Sequence, residues 1–206
     1  MNLKKFTNYI SKLSTVKRFS QATMAAPESV LEHSAACSLI ALFIGEGLAA
    51  EGVVVDFAAL LKKAILHDFD EIATGDVARP VKYHSAEMRA LFKELESQNM
   101  MSICDDFAGD CTTIFFNNWQ NAKGGFEGAI IALSDFICVL YKIHNEIVLR
   151  GNRTMLYYFQ DTYLQFSSKL IYDLNCKRSN SYDPSYFLVD LEDSLTKIIN
   201  EIRGVQ

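Results

Sequence analysis

Apolar residues recur at intervals of three and four along most of this chain, and nowhere do they alternate regularly with polar ones. That spacing lines one face of a helix and cannot line one face of a strand, so it points to an all-α fold. Phe6, Ile10 and Leu13 mark a first helix over residues 3–13. Leu188, Leu191, Leu195, Ile198 and Ile202 stripe a last one over about 184–203. Between them the pattern predicts helices at about 30–50, 57–72, 84–97 and 126–149, and one more marked by Met155, Phe159, Tyr163, Phe166 and Leu170. Local signals agree. Ser29 and Glu32 form a capping box, Asp56 caps the next helix, and Gly52 suits a helix stop. Thr74-Gly75-Asp76 breaks the third helix, and Asp183-Pro184 reads as N-cap followed by first helical position. Residues 14–28 and 173–182 read as irregular, and 100–124 carries little pattern. No repeat or low-complexity tract interrupts the 206 residues. A single domain is expected, with a helical core over about 14–175 and the C-terminal helix against it.

Polar residues placed inside two of these apolar helices call for a partner. His67 and Asp68 are adjacent near the end of LLKKAILHDFDE, and His33 opens LEHSAACSLIAL. On a continuous helix through residue 72, His67 and Glu71 share a face, and Asp68 neighbours Glu71. The short 50–57 connection implies antiparallel packing, which brings His33 towards His67. Asp135 interrupts the apolar run AIIALSDFICVLY, where an unpaired carboxylate is costly to bury. Each residue has a plainer reading, as a structural histidine or a hydrogen-bonded core aspartate. Their coincidence favours a metal site of His33, His67 and Asp68, with Asp135 the best fourth ligand. Imidazole and carboxylate together suit Mn²⁺, Fe²⁺, Co²⁺, Ni²⁺ or Zn²⁺ more than the all-oxygen preference of Mg²⁺ or Ca²⁺.

Other classes are disfavoured. A formal charge of −5 argues against a general nucleic-acid binder. The five cysteines contain no CxxC pair, which fits free thiols in a reducing cytoplasm. The first residues lack the features of a secretory signal, and the longest apolar run, 128–141, is short for a membrane span and carries Asp135. Neither GxxxxGK[ST] nor GxSxG is present, against P-loop and α/β-hydrolase chemistry.

The segments Lys17-Arg18-Phe19, ESVLEHSAACSL, ILHDFDEIATGDVARPVKY and LSDF, in that order, resemble the HD-domain phosphohydrolases, and more narrowly the HD-domain 5′-deoxynucleotidases. The resemblance covers about 14–97 and 126–150. It implies a metal held by His33, His67, Asp68 and Asp135, with Co²⁺, Mn²⁺ or Zn²⁺ ahead of Mg²⁺. It implies Glu71 as the acid–base group beside the attacking water, Asp76 assisting, Arg18 on the phosphate and the aromatic after it against the deoxyribose. It also implies a small-molecule deoxynucleotide substrate and a homo-oligomer. The family's usual Trp after Arg18 is Phe19 here, which keeps a flat apolar wall but loses the indole N–H. Arg79 stands where the monophosphatase pattern has a small polar residue. With Arg18 and Lys82 it supplies a third cation, as a triphosphate would use. Triphosphohydrolysis, seen in similar compact phage proteins that act on dATP, is therefore the alternative reaction. A non-catalytic nucleotide-sensing module is a further one.

Overall fold

The computed structural model describes the whole chain except residues 83, 160–162, 179–184 and 206, and leaves out the side chains of Arg79 and Pro80. The described residues form helices and turns, with one isolated bridge between Lys17 and Ser29 and no strand. The ten α-helices are α1 (Leu3–Thr15), α2 (Val30–Ala50), α3 (Phe57–Leu66), α4 (Glu71–Thr74), α5 (Arg79–Lys82), α6 (Ala86–Phe107), α7 (Thr112–Gln120), α8 (Gly125–His144), α9 (Tyr163–Arg178) and α10 (Tyr186–Arg203). The all-α single-domain bundle expected from the spacing is what forms.

The caps explain several boundaries. Ser29 and Glu32 make the reciprocal capping box at the start of α2, and Asp56 accepts from the Ala59 amide at the start of α3. Gly75 closes α4 with φ +70°, a left-handed conformation that glycine adopts without Cβ strain. The expected Asp183-Pro184 start lies outside the described residues; Ser185 caps α10 by accepting from the Leu188 amide.

Four boundaries differ from the sequence reading. The helix expected over 57–72 ends at Leu66, and residues 67–70 form a turn before α4. Its bonds run three residues back, from Phe69 N to Leu66 O and from Glu71 N to Asp68 O. The cause is local. The His67 ring donates Nδ1–H to the Ala64 carbonyl at 2.7 Å, taking the acceptor that a continuing helix would offer to the Asp68 amide. The segment 84–97 extends to Phe107, because Met100, Ile103, Cys104 and Phe107 keep a buried stripe going. Most of 100–124 is thus helical. At the other end, α9 runs on to Arg178 where a polar loop was expected, because Ile171 and Leu174 still bury one face. Met155 and Phe159 lie outside it, in and just after a 3₁₀ segment, Arg153–Tyr158.

Two apolar clusters hold the bundle together. The larger joins Cys37, Ala41, Ile44 and Leu48 of α2 to Leu60 and Ala64 of α3, Ile130 and Leu133 of α8, and buried residues of α9 and α10. The smaller gathers Leu13, Val30, Leu66, Phe69, Met100 and Phe107. Helix α2 is apolar around most of its circumference and long enough to cross a bilayer. Here it is the central helix, packed on both α3 and α8. Helix α8 ends in a π-turn, Asn145–Leu149, that buries Glu146 completely. The Glu146 carboxylate accepts from the amides of Ala25 and Ala26, at 2.7 and 2.9 Å, and from Asn152 Nδ2 at 2.8 Å. The irregular segment that carries Arg18 and Phe19 is thereby anchored to the helix that carries Asp135.

Candidate metal centre

Four side chains from three parts of the fold meet between α2, α3 and α8. His33 projects from the first turn of α2, His67 and Asp68 from the turn after α3, and Asp135 from the middle of α8. Each offers one ligand atom, and the four atoms lie within 4.8 Å of one another. His33 Nε2 is 3.3 Å from Asp68 Oδ2, 3.3 Å from Asp135 Oδ1 and 3.3 Å from His67 Nε2. His67 Nε2 is 3.1 Å from Asp68 Oδ2. Ligands about 2.1 Å from a divalent ion stand about 3.0–3.4 Å apart along the edges of its coordination shell, so these spacings suit one ion. The Nδ1–H bond from His67 to Ala64 fixes the tautomer, leaving the Nε2 lone pair aimed at the other three ligands.

The electrostatics of the cluster describe a cation site. Burial acts against the His33 imidazolium, but its bonds to Asp135 and Asp68 outweigh that and push it up to about 11. Burial would raise the Asp68 carboxyl, yet His67 and His33 hold it well below the usual carboxylate range. Asp135 is half-buried and likewise lowered, by Lys123 and His33. A proton on His33 thus does what a metal ion does more completely, which is to offset two half-buried carboxylates.

Around this centre stand Arg18, Glu71 and Asp76. Arg18 Nη1 approaches Asp68 Oδ2 at 3.9 Å, and the buried Nε and Nη1 atoms of Arg18 have no hydrogen-bond partner. Two buried donors left open next to a carboxylate cluster can receive an anion that enters there. Glu71 is buried; burial, then the charges of Asp68 and Asp76, push its carboxyl up to about 9. Asp76 Oδ2 accepts from the Phe19 amide at 2.8 Å and so holds the Arg18-Phe19 turn, in which Phe19 takes φ +52°. A non-glycine residue there is strained, and such strain gathers at functional loops. The Phe19 ring lies 5.8 Å from the Arg18 guanidinium and meets Tyr158 edge to face. Lys82 is engaged elsewhere, 2.8 Å from Glu96. The Arg79 side chain lies outside the described residues.

Two features escaped the sequence reading. Asp70, in the same turn as His67 and Asp68, is buried and accepts from Trp119 Nε1 at 2.8 Å, which ties the turn to α7. Lys123, just before the Gly124-Gly125 pair that opens α8, places Nζ 2.6 Å from Asp135 Oδ2. A lone lysine in a glycine-rich loop carries no pattern of its own. Its one sequence cue was its position ahead of the helix that bears Asp135.

An adjacent His-Asp pair, a second histidine one helix earlier and a distant aspartate, on a helical bundle, form the arrangement that the resemblance to the HD-domain phosphohydrolases implied. Comparison with solved structures gives the same fold. An HD-domain phosphohydrolase from Listeria innocua superposes with TM-score 0.77 at 24% identity, covering 100% of this chain and 94% of that one. The cyanophage S-2L HD phosphohydrolase DatZ, bound to dA and one catalytic Zn²⁺, superposes with TM-score 0.57 at 13% identity, covering 95% and 96% of the two chains. Among curated sequences, a 5′-deoxynucleotidase of Vibrio cholerae is 23% identical over 96% of this chain and 97% of its own. The 5′-deoxynucleotidase of Shewanella oneidensis is 27% identical over 67% and 72%. Residues 5–184 match the YfbR-like 5′-deoxynucleotidase family, and the chain belongs to it.

Proposed function

We propose that the protein is a metal-dependent 5′-deoxynucleotidase, hydrolysing deoxynucleoside 5′-monophosphates to deoxynucleoside and phosphate. The observation that carries this reading is the four-ligand cluster flanked by the open Arg18 donors and by buried Glu71. His33, His67, Asp68 and Asp135 would hold a divalent ion, with Mn²⁺, Co²⁺ and Zn²⁺ the candidates for a mixed nitrogen and oxygen shell. That ion would supply Lewis acidity and lower the pKa of water beside it. Arg18 binds the phosphoryl oxygens and offsets the charge that develops on them. Glu71 accepts a proton from the attacking water, and Asp76 keeps Arg18 and Phe19 in place through the Phe19 amide. The Phe19 ring supplies the wall against the deoxyribose.

Release of phosphate from a panel of deoxynucleoside mono-, di- and triphosphates and their ribose counterparts tests the reading. Phosphate from the deoxymonophosphates is the expected product. Release of intact triphosphate would instead support the alternative reaction, and binding without turnover would support a sensing module.

Metal binding carries a pH signature. In the metal-free protein His33 holds a proton up to about pH 11, and the same lone pair must ligate the ion. Proton and ion compete, so affinity falls as pH falls. Between pH 6 and 8 the apparent affinity for Mn²⁺ should rise about tenfold per pH unit, one proton leaving per ion bound. Calorimetric titration in buffers of different ionisation enthalpy measures both quantities. A pH-independent affinity with no proton release would show that His33 carries no proton before the ion binds.

A further inference from the structure

The sequence and the resemblance leave Lys123 without a role, yet the fold takes care over its placement. It lies between α7 and α8, where Ala122 N bonds Trp119 O and Gly124 N bonds Asn121 O, at 3.0 and 2.9 Å. Lys63 Nζ holds the Gly124 carbonyl at 3.1 Å. Gly128, in the first turn of α8, has no side chain to keep this loop away. A Cβ there would stand 2.3 Å from the carbonyl carbon of Lys123 and 2.7 Å from its oxygen. The ammonium group is thus delivered to Asp135 by a pinned loop on a close backbone contact, and the side chain remains 52% exposed.

Arg18 and Lys123 reach the cluster through different carboxylates. Arg18 comes from the Asp68 side at 3.9 Å and Lys123 from the Asp135 side at 2.6 Å. The two aspartate charges match one divalent ion. A phosphate monoester arriving there brings about two further negative charges at neutral pH, and the ion has none left to offset them. Lys82 is paired with Glu96, so Arg18 and Lys123 are the cations that the described residues place at the ligands themselves.

We propose that Lys123 is a second phosphate-binding residue, which receives the substrate phosphoryl group together with Arg18 and fits the site to a dianionic terminal phosphate. This rests on the phosphohydrolase reading above and extends it to a residue at the start of α8. Asp135 Oδ1 faces His33 while Lys123 contacts Oδ2, so the lysine can pass from Oδ2 to a phosphate oxygen without disturbing the ligand atom.

The test is calorimetric binding of inorganic phosphate to the Mn²⁺-loaded wild type, Lys123→Met and Lys123→Arg, with Mn²⁺ affinity measured separately in each. Lys123→Met should weaken phosphate binding and raise KM for a deoxynucleoside monophosphate about tenfold, with a smaller change in kcat. Lys123→Arg should recover most of the loss, and Mn²⁺ affinity should stay within about twofold of wild type throughout. Phosphate affinity unchanged in Lys123→Met would overturn the proposal. So would a parallel loss of Mn²⁺ affinity, which would make Lys123 a positioning residue for Asp135. A wild type that binds phosphate through Lys123 but hydrolyses no nucleotide would count against the proposed reaction and leave this assignment standing.

Discussion

Asp68→Asn and His67→Ala are each expected to abolish turnover and binding of the divalent ion, with the helical fold retained by circular dichroism. Asp68 Oδ2 is the hub of the centre, 3.1 Å from His67 Nε2, 3.3 Å from His33 Nε2 and 3.9 Å from Arg18 Nη1. Asparagine keeps the shape but removes the charge, and it puts an amide donor or a weaker acceptor where three groups converge. His67→Ala removes a ligand whose ring is oriented by Ala64, and frees that carbonyl to continue α3 by normal helical bonding. Loss of either ligand should lower kcat on the order of 10³-fold or more, ~4 kcal/mol of transition-state stabilisation. Steady-state rates alongside metal analysis of the purified variants decide the matter. Near-normal turnover in either variant, with metal retained, would remove the centre from the mechanism.

Glu71→Gln should produce the second large loss, and a different one: kcat is expected to fall about 10²- to 10⁴-fold while Mn²⁺ affinity holds. Glu71 lies beside the cluster and is not one of its four ligand residues. Burial and the charges of Asp68 and Asp76 raise its carboxyl to about 9, against the pull of Arg18 and Lys82. A bound divalent ion lowers such a group towards neutrality, where it can both accept and return a proton. Glutamine fills the same space and does neither. The pH–rate profile of the wild type should carry a limb that the variant lacks. Unchanged kcat in Glu71→Gln would assign the proton transfer to another group.

The four clustered side chains were legible because apolar helices leave few reasons for polar residues. His33 and Asp135 stood out because each interrupts an apolar run. The helical face proposed for His67, Asp68 and Glu71 was the wrong local geometry. The residues meet all the same, because a tighter turn over residues 67–70 also brings near neighbours together. What set that turn, an imidazole hydrogen bond to a backbone carbonyl, has no signature in spacing. The cations behaved differently again. Arg18 stands 3.9 Å from Asp68, whereas Lys82 found Glu96 across α5 and α6. Lys123 was invisible because its place depends on a glycine five residues later accepting backbone contact. Charged residues on loops are assigned by tertiary structure, and a linear pattern does not reach that far.

The centre also lies on the boundary between the two apolar clusters. Leu66 and Phe69, on either side of His67-Asp68, belong to the smaller one, and Leu133 and Phe136, around Asp135, to the larger. Helix α2 reaches both, through Val30 and Cys37. An ion held by all four ligands would therefore tie together two cores that could otherwise open independently. Its free energy of binding would be spent on cooperativity of unfolding as much as on chemistry. For such a protein, metal scarcity would not merely silence a folded enzyme; it would loosen the joint between its halves.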